Sequence, residues 1–366
     1  MIDDIRQYEK RLLAQIMAQE GAISALFEDF TRSVAPLLRR YRSRGGVVKD
    51  VWARNADIES ALNSELRRLE KNLNSYLNAQ ATKAWSLSND KTDLIVKDYI
   101  KGLSISEAAK DGLFLRNFDA LKEFQKRVQR GFSVSERIWQ TTREMKTQME
   151  LYLQSGMATG RSAAQISRDV RGFLKDPDKR FRRVRDPETG ELKPSKPMKN
   201  YHPGRGKYRS AYKNAVRLTR TETNMAYRLS DQARWRKTDF ITGYEVKLSA
   251  SHPEYDICDS MIGQYPKNFV FSGWHANCYC FSVPVMLNKD QFAQYINTNK
   301  IPAVKKVKGV PPAAFNYVKQ RSDKLAAMPN KPYWLQDNFT KKNGAYFPKK
   351  VIDNPPNIKG VVRENS

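Results

Sequence analysis

Through most of the first 175 positions apolar residues recur at steps of three and four, the spacing that lines one face of an α-helix. Residues 2–42 and 50–85 read as two helices, separated by Gly45-Gly46. In the second, Leu62, Leu66, Leu69, Leu73 and Leu77 form one apolar stripe, with Glu65, Arg67, Arg68, Glu70 and Lys71 around it. A bundle helix that buries this stripe is favoured over a coiled-coil partner site, because the repeat is too short for a sustained seam. Ser133 with Glu136, and Ser162 with Gln165, have the spacing of capping boxes ahead of apolar runs. The helix that starts after Ser162 should stop at Asp176-Pro177, since proline disfavours α geometry in the residue before it.

The pattern changes over 176–206, where prolines, glycines and charge exclude a long helix. Asp186 to Gly190 reads as a turn, with short strands around Phe181 to Val184 and at Leu192, so the segment is a linker or a basic β-arm. A helical period returns over 208–237 and carries Glu222 on its apolar stripe. A carboxylate there needs a partner such as an arginine or a backbone amide, because burying it alone is costly. After Gly243 the period becomes two: Tyr244, Val246 and Leu248 face one way, and Glu245, Lys247 and Ser249 the other. Asn268–Phe271 and Phe281–Val285 give two further short strands. From 288 on the chain is basic and interrupted by prolines, and reads as an extended tail with one amphipathic helix over 314–327.

The fold class expected is therefore α+β. A predominantly helical region covers 1–175, a basic linker or arm 176–206, a small domain of one helix and short strands 207–287, and a basic proline-rich tail 288–366.

Charge adds a partner class. The chain of 366 residues has 65 Lys and Arg against 39 Asp and Glu, a net charge of +26. Fifteen basic and five acidic residues fall within 171–217, and the same numbers within 288–366, so these two stretches carry +20 of the +26. An anionic partner is expected, and the candidates are nucleic acid, a membrane surface or an acidic protein face, of which the membrane is set aside. Arg180, Arg182, Arg183, Arg185, Lys305, Lys306 and Lys308 are the candidate contacts, and arginines interleaved with Phe181, Tyr201 and Tyr208 suit stacking as well as charge. No base-reading motif is visible, so binding to double-stranded DNA would be non-specific. No long apolar run suggests a membrane span, and no secretory signal is visible at the amino terminus.

All three cysteines and one of three histidines fall in one window, as Asp256-Ile-Cys258-Asp259 and Trp274-His275-Ala-Asn-Cys278-Tyr-Cys280. Soft thiolates with an imidazole favour zinc over magnesium or calcium, and Cys3His is a closed structural set. Cys278 and Cys280 are two apart, so in an extended segment they share a face and can reach one ion. His252 and Asp259 are alternative ligands. The competing readings are buried inert cysteines held by His275 hydrogen bonds, and a Cys258–Cys278 disulfide. A catalytic zinc would need an open position and a base such as Glu254 or Asp256. A cysteine nucleophile would need an orienting third group. Nothing in the sequence supplies one, and no catalytic or cofactor-binding residue is assigned.

The order of these parts resembles a family. Arg217-Leu-Thr-Arg220-Thr-Glu222 with Ala226-Tyr227-Arg228, the strand from Gly243, Asp256-x-Cys258, Gly263-Gln-Tyr-Pro266 and Gly273-Trp-His275-Ala-Asn-Cys278-Tyr-Cys280 look like the phage Mu protein F-like family of minor head, or head morphogenesis, proteins. The likeness covers about 205–287 and carries Arg220, Glu222, Asp256 and Gly273 as structural positions. Ala276 and Tyr279 stand where the family usually has proline and arginine, and Met261 where many members have a further cysteine. His275 or an aspartate then completes any ligand set. The resemblance implies a non-enzymatic component of the virion, at the portal vertex or capsid interior and in the host cytoplasm during assembly. The partners it implies are portal, capsid or scaffold proteins and packaged DNA. The alternatives are a phage-encoded effector enzyme, such as a toxin, nuclease or transferase, and a free non-specific DNA-binding protein.

Overall fold

The computed structural model describes residues 2–42, 50–102, 107–129, 132–204, 206–252, 255–298 and 307–349. Gly45-Gly46, Glu254, Lys305 and Lys306 lie outside them. In chain order the helices of the first half are α1 (Ile2–Arg39), α2 (Ala56–Ile100), α3 (Glu107–Leu113), α4 (Phe118–Lys126), α5 (Val134–Ala158) and α6 (Ala163–Lys175). Two short strands, β1 (Val128–Gln129) and β2 (Phe132–Ser133), precede α5. A 3-10 turn, Pro177–Phe181, leads to β3 (Arg183–Arg185), β4 (Leu192–Pro194) and α7 (Lys196–Asn200). Then follow α8 (Ala211–Trp235), β5 (Ile241–Lys247), α9 (Ile257–Ser260), β6 (Gly263–Pro266) and β7 (Phe281–Met286). Helices α10 (Lys289–Thr298), α11 (Pro312–Gln320), α12 (Ser322–Ala326) and α13 (Tyr333–Asn338) precede a last pair of strands, β8 (Phe339–Lys342) and β9 (Ala345–Pro348). The amino-terminal region is mostly helical and the small antiparallel sheets lie toward the carboxy terminus, which makes the protein α+β.

The chain divides into two compact units. One takes residues 1–16, 78–131 and 220–366, the other 17–77 and 132–219. This division cuts across the linear segments read from the sequence, because α1, α2 and α8 each contribute residues to both units.

The unit of 17–77 and 132–219 is helical. All five leucines of the α2 stripe are buried, together with Phe27, Phe30 and Val34 of α1, Met145, Met149 and Leu153 of α5, and Ile166, Val170 and Leu174 of α6. Both capping boxes form: Ser133 accepts from the Glu136 N–H and Ser162 from the Gln165 N–H, with each partner side chain reaching back. Helix α6 ends at Lys175, before Asp176-Pro177. Gly156 lets α5 approach α6, since a Cβ there would lie 2.7 Å from Cγ1 of Ile166. The expected β-arm is the hairpin of β3 and β4, paired from Arg183 with Pro194 to Arg185 with Leu192 and exposed along both strands.

The other unit holds a three-stranded antiparallel sheet in the order β6-β5-β7, packed among the second part of α8 and the aromatic side chains that follow it. Two expectations are corrected here. Residues 268–271 are not a strand. The Asn338 side chain accepts from the Val270 N–H at 2.6 Å and donates to the Val270 carbonyl at 2.9 Å, so one amide takes the place of a neighbouring strand. The second strand is Gly263–Pro266 instead, paired with β5 from Val246–Gly263 to Gly243–Pro266. The basic tail is also not extended over its described part. Ala314, Val318, Leu325, Trp334, Leu335, Phe339 and Tyr346 are buried in the same core as β5, and Trp334 Nε1 donates to the Trp274 carbonyl at 3.0 Å. The sequence hid this because its apolar anchors are spread thinly between lysines and prolines. The helix expected over 314–327 is present as α11 and α12, separated at Arg321.

Candidate metal centre

Three connections bring the cysteine window together. Asp256 caps α9: its Oδ1 accepts from the Cys258 N–H at 2.6 Å, while Asp259 Oδ2 accepts from the Asp256 N–H at 2.8 Å. This fixes Cys258 in the first turn of a four-residue helix. On α8, Arg228 is 3% exposed and donates to three carbonyls of the facing loop, those of Ser272 at 3.1 Å, Cys278 at 2.6 Å and Cys280 at 2.7 Å. Its guanidinium lies 4.9 Å from the Phe271 ring centroid. The loop closes this tightly because Gly273 has φ of +119°, which side-chain-bearing residues rarely adopt, and a Cβ there would stand 2.5 Å from Arg228 Nη1. The third link is Thr221, whose Oγ1 accepts from the Asn277 N–H at 3.4 Å.

Cys258, Cys278 and Cys280 are all buried, and their three Sγ atoms lie within 4.8 Å of one another. The Cys258 and Cys278 sulfurs are 3.8 Å apart. Two thiolates on a tetrahedral zinc with bonds of about 2.3 Å stand at about this separation, so the cluster fits a soft divalent ion. The thiols also titrate as a group. Hydrogen bonds from Cys258 and Cys280, with the Arg228 charge in support, hold Cys278 well below its ordinary range. Hydrogen bonding to Cys278 and then to Cys280 pushes Cys258 up. Cys280 is pulled down by its hydrogen bond with Cys258, but Cys278 and burial outweigh this and push it up to about 12. Deprotonation is therefore most favoured at Cys278, the sulfur nearest in character to a ligand thiolate.

His275 Nε2 lies 3.2 Å from Cys258 Sγ and 3.0 Å from Asp256 Oδ2, and its Nδ1 is 2.7 Å from the Ala276 carbonyl. Sulfur and carboxylate thus meet the same ring nitrogen. A nucleophilic relay requires them on opposite nitrogens, with the carboxylate orienting the ring, so this geometry is not that of a catalytic triad. Of the three sulfurs His275 meets that of Cys258, while the groups among the described residues that could surround one ion are Cys258, Cys278 and Cys280, and His252 with Asp256 and Cys258. His252 forms a second grouping with Asp256 and Cys258 and lies 3.0 Å from Asp259 Oδ2. Both alternative ligands named from the sequence are therefore close by, paired with one another.

The remaining candidates separate. Glu222 is fully buried and ion-paired with Arg127, which satisfies the need read from the sequence through a partner 95 positions away. Arg220 is half-buried on the preceding turn of α8. Arg182, Arg183 and Arg185 are exposed on the hairpin arm, and Lys308 is exposed in the other unit. Arg180 is a correction: it is 1% exposed, donates to Gln148 and lies 4.8 Å from the Tyr152 ring, while its carbonyl accepts from Ser195 Oγ. Burial lowers its pKa to about 10. It anchors the arm rather than meeting a partner, because its stem and guanidinium fill the space beneath the 3-10 turn.

Sequence reasoning did not assign Arg228 a role, although it belongs to the run of α8 residues that carried the resemblance. It also missed a buried network in which Lys91 Nζ donates to Asp231 at 2.6 Å and to Glu9 at 3.3 Å, with Ser88 on the other Asp231 oxygen at 2.7 Å. Its signal was Ser88, Lys91, Thr92 and Ile95 on one helical stripe, polar residues at core spacing.

No helix among the described residues is long and apolar enough to cross a membrane. No family model, curated protein or solved structure matches the chain.

Proposed function

We propose that this chain is a minor head protein of a tailed bacteriophage or prophage, of the phage Mu protein F-like kind, acting in head morphogenesis and DNA packaging or delivery. The observation that supports this reading is convergence. Thr221 and Arg228 of α8, Asp256 and Cys258 of α9, and Gly273, His275, Cys278 and Cys280 are separated in sequence, and they meet in one clasp in the order that carried the resemblance.

In this reading Cys258, Cys278 and Cys280, with His275 as the fourth ligand, hold a structural zinc. Such an ion would cross-link α9 to the loop after Gly273. The protein is not an enzyme. The clasp stiffens a platform, and the exposed arginines of the arm, Arg182, Arg183 and Arg185, together with Lys308, meet DNA phosphates or acidic faces of portal, capsid or scaffold proteins. The site of action is the virion, after assembly in the host cytoplasm.

Deleting the gene from the parent phage and counting DNA-filled heads tests the role. Loss of filled heads, restored by supplying the gene in trans, is expected. Normal yields of filled, infectious heads would contradict it and return the effector-enzyme and free DNA-binding alternatives.

A further inference from the structure

The buried network around Lys91 holds more than an ion pair needs, and no part of the proposed function uses it. Its members come from three helices of one unit: Glu9 from α1, Ser88 and Lys91 from α2, and Asp231 from α8. The side chains of Lys91 and Asp231 are both without solvent access. Lys91 Nζ donates to Asp231 Oδ2 at 2.6 Å, so it stands at most about 3.8 Å from the carboxyl carbon, one C–O bond further on. Reacting atoms held at about 3–3.5 Å are in position to form a bond. The buried rings of Tyr227 and Trp235 lie over the same nitrogen, their centroids 4.4 and 5.3 Å away, and keep water from it.

Two further groups sit where a condensation needs them. Ser88 Oγ donates at 2.7 Å to Oδ1, the oxygen that gains negative charge when an amine adds to the carboxyl carbon. Glu9 Oε1 accepts from Nζ at 3.3 Å and from the Tyr227 hydroxyl at 3.1 Å, which places a carboxylate to take a proton from the nitrogen. The Glu9 side chain is 14% exposed, so a water released here has a way out. Burial raises Asp231 to about 6, toward its acid form. Burial lowers Lys91, but Asp231 and Glu9 outweigh it and raise its pKa, so the amine is freed only by passing its proton along the 2.6 Å hydrogen bond.

We propose that Lys91 and Asp231 condense to an isopeptide bond, a reaction that the folded chain performs once on itself. The proton passes from Nζ to Oδ2, which leaves a neutral amine beside a carboxylic acid. Nζ adds to Cγ while the carbonyl electron pair moves onto Oδ1, against Ser88, and Glu9 takes a proton from Nζ. The pair on Oδ1 then re-forms the carbonyl, the Cγ–Oδ2 bond breaks, and Oδ2 leaves as water with the proton that Glu9 returns. One ammonium and one carboxylate become one amide and one water, with Glu9 unchanged. The product suits the site better than the ions do. A buried ion pair recovers in attraction only part of what its desolvation costs, whereas the amide is neutral, its carbonyl accepts from Ser88 and its N–H donates to Glu9. The bond ties α2 to α8 across 140 positions. Only a chain that has not condensed has a carboxyl at position 231 to titrate. The inference stands apart from the virion role.

Mass spectrometry of the full chain tests this. The denatured parent should be lighter than its sequence by one water, either on purification or after days under native conditions. Its tryptic digest should contain residues 84–97 joined to residues 229–234, uncut after Lys91. Lys91→Arg should keep its full mass. Glu9→Gln, which retains an acceptor for Tyr227, should condense about a hundredfold more slowly. A parent that stays at full mass overturns the proposal, as does a lost water without the joined peptide or one that persists in Lys91→Arg. Equal rates in the parent and Glu9→Gln would overturn the part given to Glu9. Should Lys91→Arg not fold, the joined peptide in the parent decides alone.

Discussion

Arg228 and Gly273 are fitted to one another: the guanidinium occupies the space that a Cβ at position 273 would need, 2.5 Å from Nη1. Replacing Gly273 with alanine forces a positive φ on a residue that resists it and displaces the group that gathers the carbonyls of Ser272, Cys278 and Cys280. A loss of about 1–3 kcal/mol is expected from the backbone alone, read as a lower midpoint in thermal or urea unfolding. A Gly273→Ala variant as stable as the parent would mean that Arg228 does not organise the loop.

The thiol cluster makes a claim about metal content. Full-length protein purified without chelator should carry close to one zinc per chain, and Cys278→Ser should reduce that strongly. Removing the metal with a chelator should lower the unfolding temperature of the parent and leave Cys278→Ser little changed. Metal-free parent protein that unfolds at the same temperature with and without added zinc would reduce the clasp to buried, inert cysteines.

Asp231 sits without solvent access between Lys91 and Ser88, with Glu9 and Tyr227 facing the same lysine. Burial raises its carboxyl to about 6, against the pull of Lys91. A carboxyl raised in the folded state holds its proton more tightly there than in the unfolded chain. Its contribution to stability is therefore full below about pH 4 and is lost as pH rises through 6. Asp231→Asn removes this term. The stability of the parent relative to the variant should fall between pH 4 and 6 and level off above, as followed by urea unfolding across that range. A constant difference would show that Lys91 holds Asp231 ionised throughout.

The arm separates two kinds of arginine. Changing Arg182, Arg183 and Arg185 together to alanine should weaken binding to double-stranded DNA and reduce the slope of log affinity against log salt by about 0.9 for each phosphate no longer neutralised. Arg180→Ala should act on stability instead, because that side chain is enclosed. A triple variant with an unchanged salt slope would remove the arm from the DNA interface.

Most of the helical scaffold was legible, since it is written in short-range patterns. The leucine stripe of α2, the two serine capping boxes and the stop at Asp176-Pro177 are local signals, and each appears where the spacing puts it. The candidate site was legible in its residues and less so in its assembly. Cys258, Cys278 and Cys280 could be grouped from spacing and chemistry, and the need of Glu222 for a cation followed from its place on an apolar stripe. That the cation is Arg127 depends on a pairing across 95 positions, which no local pattern encodes. Asn338 and Val270 fail for the same reason. A side-chain amide can imitate a strand's hydrogen bonds, so the alternation of Phe269 and Phe271 looked like a strand while its partner lay 68 residues away. Arg180 shows a further limit, because within a charged run the one residue that turns inward is marked only by the aromatic rings it meets in the fold.

The proposed role in the virion is tested most directly by quantitative peptide mass spectrometry of gradient-purified proheads and mature particles from the source lysate. The expected result is this chain in both, at a few copies for each portal. Its absence from both particles, with the protein abundant in the soluble lysate, would contradict the assignment to the head.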